Sequence, residues 1–165
     1  MRHIMAGIIA RGSLWIPLFA LLSGAIQAAD LQKPGAHPRL LFTAKDIPGL
    51  RAKLDTPEGK LIWSRLKNFA DKSLIEPVPA WDAVPKQGAS KRPSMWYNEF
   101  VGYRLWASSM AYVLTADATY RDVTKQGLLA LAGWPDFYDS DEGMSLGFCH
   151  VLGGYSFAYD CLYNE

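Results

Sequence analysis

The sequence is short of cysteine and of net charge, and both shortages exclude classes of protein. Its 165 residues include two cysteines, which excludes a disulfide-framework miniprotein and a multi-cysteine metal module. Seventeen Lys and Arg residues against 16 Asp and Glu residues give a formal charge of +1, so nothing favours nucleic acid or an anionic membrane surface as a partner. Neither a phosphate-binding glycine loop nor a Gly-x-Ser-x-Gly motif is present, and the dispersed acids and histidines predict no metal site. Half of the residues are apolar, which is enough for a packed core.

The first 29 residues have the pattern of a secretory signal peptide. Arg2 and Arg11 precede the apolar run Leu14–Leu22, no acid occurs in the segment, and small residues follow the run. The alternative is a membrane anchor, but the run is about half of the roughly 20 residues that a spanning helix needs, and it contains Pro17. We therefore expect cleavage after residue 29 and a mature chain in a bacterial periplasm or outside the cell, with no membrane attachment.

The rest of the chain predicts an all-α protein. Residues 30–42 form an extended lead-in, because a residue that precedes proline is kept out of the α region. Thr43 and Asp46 predict a capping box, and Thr56 followed by proline predicts a second helix start. No convincing β alternation is present. The predicted helices span about residues 43–54, 57–74, 98–114, 120–132 and 144–163, with a proline-rich loop of the kind that is often functional at 75–95.

The predicted apolar faces follow from the helical period. Helices 98–114 and 120–132 form an αα-hairpin across a tight turn at 115–117. The apolar faces contain Ile62, Leu66, Phe69 and Ala70 in the second helix, Phe100, Tyr103, Ala107, Met110 and Leu114 in the third, and Val123, Gly127, Leu128 and Leu131 in the fourth.

The last predicted helix is apolar around its whole circumference. Such a helix must be covered on every side, so we expect residues 43–165 to be the N-terminal part of a longer polypeptide. Gly153-Gly154 would allow a neighbouring helix to approach closely. Cys149 and Cys161 are twelve residues apart, which places them about 18 Å apart in one helix, too far for a disulfide, and both are interpreted as core residues. Asp160 is interpreted as a buried hydrogen-bond acceptor.

Motifs spread over nearly the whole mature chain carry a family resemblance. They are HPRLLFT at 37–43, DIPGLR at 46–51, TPEG at 56–59, LAGWPDF at 131–137 and YDCLY at 159–163. In this order and spacing they resemble the N-terminal part of the heparinase II/III-like polysaccharide lyases, a superfamily that includes alginate lyases. One departure is Cys161, since members of the family usually have Trp there.

The resemblance implies an (α/α) toroid of helical hairpins, followed by β-sandwich domains, and β-elimination at a uronic acid. In that reaction the enzyme neutralises the carboxylate, Tyr or His removes the C5 proton, and Tyr commonly protonates the leaving oxygen. The family's catalytic positions lie beyond residue 165, so no catalytic residue is assigned in this chain and no cofactor is implied. We expect an incomplete toroid that is inactive alone.

The candidate substrate-binding residues are Trp96, Tyr97, Asn98, Arg104 and His150. Tyr97 and Arg104 are seven residues apart, on one flank of a helix, where Arg104 could bind a uronate carboxylate and Tyr97 or Trp96 could stack on a sugar. The alternative is a snorkelling arginine beside core aromatics. Asn98 is either a helix N-cap or a sugar contact, and His150 is either a core histidine or a cleft residue.

Three functions are compatible with these patterns. The first is the N-terminal segment of a secreted lyase whose partner is an acidic polysaccharide. The second is a self-contained periplasmic helical-repeat module that binds carbohydrate. The third, a glycoside hydrolase on a similar toroid, needs carboxylates on both sides of a cleft, whereas the acids here cluster at 136–142 in a loop interpreted as solvated rather than calcium-binding. The oligomeric state is left open.

Overall fold

A computed structural model describes residues 35–89, 91–139 and 145–165, and over these ranges the protein is all-α, as predicted. The predicted signal peptide at 1–29 lies outside the described residues. No helix in the described part is both long and apolar enough to cross a membrane. The helices are α1 (Ile47–Lys53), α2 (Pro57–Ile75), α3 (Met95–Thr115), α4 (Ala118–Ala132) and α5 (Leu146–Leu162), with a 3₁₀ turn at Trp81–Ala83.

Hydroxyl side chains begin three of these helices. The Oγ1 atom of Thr56 accepts a hydrogen bond from the Gly59 amide at 3.0 Å, which confirms the predicted start of α2. Ser94 accepts from the Tyr97 amide at 3.1 Å and starts α3. Ser145 starts α5 in the same way. These caps satisfy amides that lack a partner inside the helix.

The predicted capping box at Thr43 forms only in part, and the prediction that it opens the helix is wrong. The Asp46 carboxylate accepts hydrogen bonds from the amide and the hydroxyl of Thr43, both at 2.8 Å. The Thr43 hydroxyl is therefore a donor to Asp46 and does not cap an amide. The interaction holds a turn, and α1 begins after it, at Ile47.

α3 is the central helix and packs against α2, α4 and α5. It forms the predicted hairpin with α4, in which the Thr124 hydroxyl donates to the Ser108 hydroxyl at 2.7 Å. α3 and α5 approach closely where Gly102 faces Gly154, since a Cβ atom at Gly154 would lie 2.4 Å from the Gly102 carbonyl oxygen. The predicted close approach is thus confirmed at Gly154, whereas a Cβ atom at Gly153 would meet nothing closer than 3.8 Å.

The central position of α3 changes which side chains are buried. Val101 and Leu105, which lie outside the predicted face, are almost fully buried. Phe100 and Tyr103 of that face are each more than one-third exposed, whereas Ala107 and Leu114 of the same face are buried as predicted. A helix with neighbours on several sides buries residues around most of its circumference, so a search for one apolar stripe finds only part of the buried set. On α2 the same search is wrong for Ile62 and Phe69, which are exposed, and right for Ala70, which is fully buried.

α5 is covered on one side and open on the other. Val151, Phe157 and Ala158 are buried, whereas Leu152 and Tyr159 are exposed. Both cysteines of α5 are free, as the spacing predicts. Cys161 is buried, but Cys149 is exposed, so the interpretation of Cys149 as a core residue is wrong: it lies on a part of α5 that no described element covers.

Asp160 joins the lead-in to the end of α5, which confirms its predicted role as a buried acceptor. One carboxylate oxygen accepts from the amides of Arg39 at 2.8 Å and Leu40 at 2.9 Å, and the other lies 2.6 Å from Nδ1 of His37. The His37 ring also stacks on Tyr163, with centroids 3.8 Å apart. Burial alone would raise the pKa of Asp160, but these hydrogen bonds together hold that pKa below its usual value.

Candidate functional site

A cleft between the end of α2, the proline-rich loop and the first half of α3 contains two of the predicted site residues. Tyr97 and Arg104 both line it, so the structure brings together the pair that the helical spacing places on one flank. The cleft has a volume of about 540 Å³, within the range of about 300–1,000 Å³ that is typical of ligand sites. Its other lining residues are Lys72, Glu76, Pro77, Pro79, Ala83, Pro85 and Phe100.

Arg104 is the fixed cation of this cleft. Its side chain is 14% exposed, and its backbone carbonyl accepts hydrogen bonds from the hydroxyls of Ser108 at 2.8 Å and Ser73 at 3.3 Å. The guanidinium donates from Nη1 to the Glu76 carbonyl at 2.9 Å and from Nη2 to the Glu76 carboxylate. Nε is buried and has no hydrogen-bond partner among the described residues. Arg104 is therefore more than a snorkelling side chain, although its present partner belongs to the protein itself.

Tyr97, Phe100 and Lys72 give the cleft its other chemistry. Burial raises the pKa of Tyr97, while the positive charge of Arg104 opposes that shift in part, so its hydroxyl is protonated at neutral pH and able to donate. Phe100 is 47% exposed and offers an apolar ring. Lys72 adds a second cation, in the last turn of α2. An anionic ligand with an apolar face suits this combination.

Two other predicted residues do not line this cleft. Trp96 is 65% exposed and lies outside it. Asn98 is fully buried, and its Nδ2 donates to the Phe137 carbonyl at 2.8 Å. Both readings of Asn98 are therefore corrected. Ser94 caps α3 in its place, and burial of Asn98 under the segment after α4 prevents contact with a sugar.

His150 lies in a second cleft, which shares no lining residue with the first. This cleft has a volume of about 460 Å³ and is lined by Tyr103, Trp106, Cys149 and Gly153 as well as His150. The His150 and Tyr103 rings meet edge to face, with centroids 5.0 Å apart. Of the two predicted readings, the structure therefore favours His150 as a cleft residue.

The sequence reasoning missed Glu76 and Lys72. Glu76 is the C-terminal capping residue of α2. An acid at that end of a helix is unfavourable, because the helix dipole is negative there. That mismatch is visible in the sequence once the end of the helix is known, and it marks Glu76 as a residue held in place for another reason.

An apolar groove was also missed. It has a volume of about 430 Å³ and lies between the lead-in, α2, α3 and α5. Its walls are Leu41, Phe42, Leu66, Phe69, Tyr103, Trp106, Ala107, Met110 and Phe157. The sequence feature that could have indicated this groove is the set of aromatic residues on α3, which the helical period assigned to the core.

The described residues contain no group of three or more His, Cys, Asp or Glu side chains placed to hold a metal ion. Within the acidic loop, Asp136 accepts hydrogen bonds from Arg92 and from the amide of Tyr138. Asp141 and Glu142 of that loop lie outside the described residues. Asp136 is thus engaged by protein donors.

No protein-family model matches the chain, and no curated protein matches it either. The resemblance to heparinase II/III-like lyases therefore stays a prediction.

Proposed function

We propose that this chain is the N-terminal helical part of a secreted polysaccharide lyase that acts on uronic-acid polymers, and that it supplies one wall of the sugar cleft. The observation that carries the proposal is the pairing of Arg104 with Tyr97 and Phe100 in one cleft. A planar guanidinium matches a carboxylate, and aromatic rings suit the apolar face of a sugar. A uronate unit presents both features.

The open side of α4 and α5 supports an (α/α) toroid as the architecture. Leu129, Leu152 and Tyr159 are exposed there. A hollow of about 190 Å³ separates the two helices, lined by Lys125, Leu128, Leu129, Ala132, Tyr155, Tyr159 and Leu162. Exposed apolar surface of this kind marks an interaction site, and in a toroid the next helical hairpin would cover it.

The role proposed for this chain in β-elimination is to hold the substrate. Removal of the C5 proton leaves negative charge that is shared with the adjacent carboxylate, so a cation on that carboxylate makes the proton more acidic. Arg104 is placed to supply such a charge, with the Tyr97 hydroxyl as a further donor. No residue of the chain is assigned to proton transfer, so the chain alone is expected to bind uronate oligosaccharides without cleaving them.

Calorimetry and an ultraviolet assay for unsaturated uronate products test the proposal. The full chain should bind alginate or heparan sulfate oligosaccharides, should not bind neutral cello-oligosaccharides, and should release no unsaturated product. Arg104→Lys should weaken binding by about tenfold, because lysine cannot form the bidentate contact. Arg65→Lys, on an exposed part of α2, is the matched control and should leave binding unchanged. Equal binding of neutral and acidic oligosaccharides would contradict the proposal.

A self-contained carbohydrate-binding module is the second candidate. It is favoured by one observation: residues 36–165 form one packed unit whose core includes Leu105, Leu131 and Val151. A cooperative thermal transition of a monomeric chain, followed by circular dichroism, would support the module. Self-association of a folded chain through the exposed apolar side of α4 and α5 would support the lyase segment, whose exposed apolar face needs further helices.

A further inference from the structure

The contact between Arg104 and Glu76 pairs a largely buried group with an exposed one. The Arg104 side chain is 14% exposed, whereas that of Glu76 is 66% exposed. Nη1 of Arg104 is held by the backbone carbonyl of Glu76, so the guanidinium stays in place even if the carboxylate leaves. An exposed carboxylate adds little to stability through such a pair, because water and salt compete for it.

The position of Glu76 gives α2 no benefit of its own. It caps the carboxyl end of the helix, where the dipole repels a negative charge, and Lys72 already supplies the favourable cation in the last turn. Glu76 therefore stabilises neither the helix end nor a buried core, and its contact with Arg104 needs another explanation.

The guanidinium has an edge that is only half used. Nε and Nη2 of arginine lie on one edge, and a carboxylate that binds this edge can accept from both. The Glu76 carboxylate accepts from Nη2, while Nε is buried without a partner among the described residues. A carboxylate that accepted from both atoms would satisfy a buried donor that Glu76 leaves unsatisfied.

We propose that Glu76 is a built-in stand-in for the ligand's carboxylate, and that a uronate displaces it from Arg104 when it enters the cleft. This inference rests on the proposed function for the identity of the ligand. Displacement leaves the Glu76 carboxylate free in solvent and gives Arg104 a bidentate partner, while Tyr97 and Phe100 contact the sugar. Glu76 thus sets selectivity, because a neutral sugar offers nothing that can replace its carboxylate.

Calorimetry with an alginate tetrasaccharide, and separately with acetate, tests the displacement on the full chain. Glu76→Gln removes the competing charge but keeps the shape, and should tighten uronate binding by about two- to fivefold. Glu58→Gln is the matched control, because it removes one exposed carboxylate at the opposite end of α2. It should leave the binding of both ligands unchanged. In the Arg104→Lys background, Glu76→Gln should give no gain. Circular dichroism checks that every variant keeps its helix content.

The possible outcomes separate this inference from the proposed function. If the parent chain binds the tetrasaccharide and Glu76→Gln binds it no more tightly, the stand-in role of Glu76 is refuted and the lyase proposal survives. If no variant prefers the tetrasaccharide, but Glu76→Gln gains acetate binding that Arg104→Lys abolishes, Glu76 is a stand-in for a carboxylate of another ligand class. If Glu76→Gln gains neither ligand, the inference fails outright.

Discussion

Two adjacent glycines of α5 should respond in opposite ways to the same substitution. Gly154 faces Gly102 of α3, and a Cβ atom there would lie 2.4 Å from the Gly102 carbonyl oxygen and 2.7 Å from its Cα atom. Both are backbone atoms of a packed helix, so α3 and α5 would have to separate. At Gly153 the nearest atom would be Nε1 of Trp106 at 3.8 Å, which is an ordinary contact. The two positions share a helix and differ in what they face.

The magnitudes follow from two opposing effects. Replacing glycine by alanine inside a helix stabilises it by about 1 kcal/mol, whereas overpacking a tight contact costs about 1–3 kcal/mol or more. Gly153→Ala should therefore stabilise the fold by up to about 1 kcal/mol. Gly154→Ala should destabilise it by up to about 2 kcal/mol, after the helix effect is subtracted. The difference between the variants should reach about 3 kcal/mol.

Urea denaturation followed by circular dichroism measures this difference as a shift in the unfolding midpoint. Gly102→Ala is a second route to the same clash, since its Cβ atom would lie 2.2 Å from the His150 carbonyl oxygen, and it should match Gly154→Ala. If Gly154→Ala gives no soluble protein on expression while Gly153→Ala gives a normal yield, that result also agrees with the predicted destabilisation. Equal midpoints for the two variants would refute the close helix crossing.

Four further predictions use other parts of the chain. Asp160→Asn should lower stability by about 2–4 kcal/mol and speed hydrogen exchange at the Arg39 and Leu40 amides. Unchanged exchange would contradict the role of Asp160 in holding the lead-in against α5. The folded-state pKa of Asp160 is lowered, so its contribution to the free energy of unfolding should be complete above the ordinary aspartate pKa of about 3.9. That contribution should be lost as the pH falls through the lowered pKa, and acid titration of unfolding measures the loss. Iodoacetamide at mildly alkaline pH should alkylate the exposed Cys149 and spare Cys161. Burial, and to a lesser extent the charge of Asp160, raises the pKa of the Cys161 thiol to about 12. Equal labelling of the two cysteines in peptide mass spectra would contradict this prediction. Mass spectrometry of a periplasmic fraction should show a chain that begins at residue 30, and an intact N-terminus would remove the signal-peptide prediction.

Local signals predicted the helices well because they act within a few residues. The Thr56 hydroxyl and the proline after it fix the start of α2 without help from the rest of the fold. The end of α3 at Ala116 and the end of α4 at Gly133 are likewise set by residues at the helix ends. The start of α3 was predicted wrongly because Asn98 is itself a good capping residue. The true cap, Ser94, lies four residues earlier, within the segment predicted as a proline-rich loop.

The buried surfaces were harder to predict, because they depend on how many neighbours a helix has. α3 lies between α2, α4 and α5, so residues on several of its sides are buried, while the rings of Phe100, Tyr103 and Trp106 turn outward. Ser108 can be buried at little cost because its hydroxyl accepts a hydrogen bond from Thr124 of α4 and donates one to the Arg104 carbonyl. Tyr97 and Arg104 of the cleft could be predicted from the sequence, since they share a helix. Glu76 could not, because it reaches Arg104 only through the packing of α2 on α3.

The structure also explains what the family resemblance can and cannot support. Two of its motifs, HPRLLFT at 37–43 and YDCLY at 159–163, are far apart in sequence and in contact in the fold. His37 and the amides after it bind Asp160, and the His37 ring stacks on Tyr163. These motif residues are thus accounted for by the structural contact between the lead-in and α5. Because function depends on the site and not on the scaffold, the motifs bear on the fold, and the proposed function depends on whether the cleft at Arg104 binds uronate oligosaccharides in preference to neutral ones.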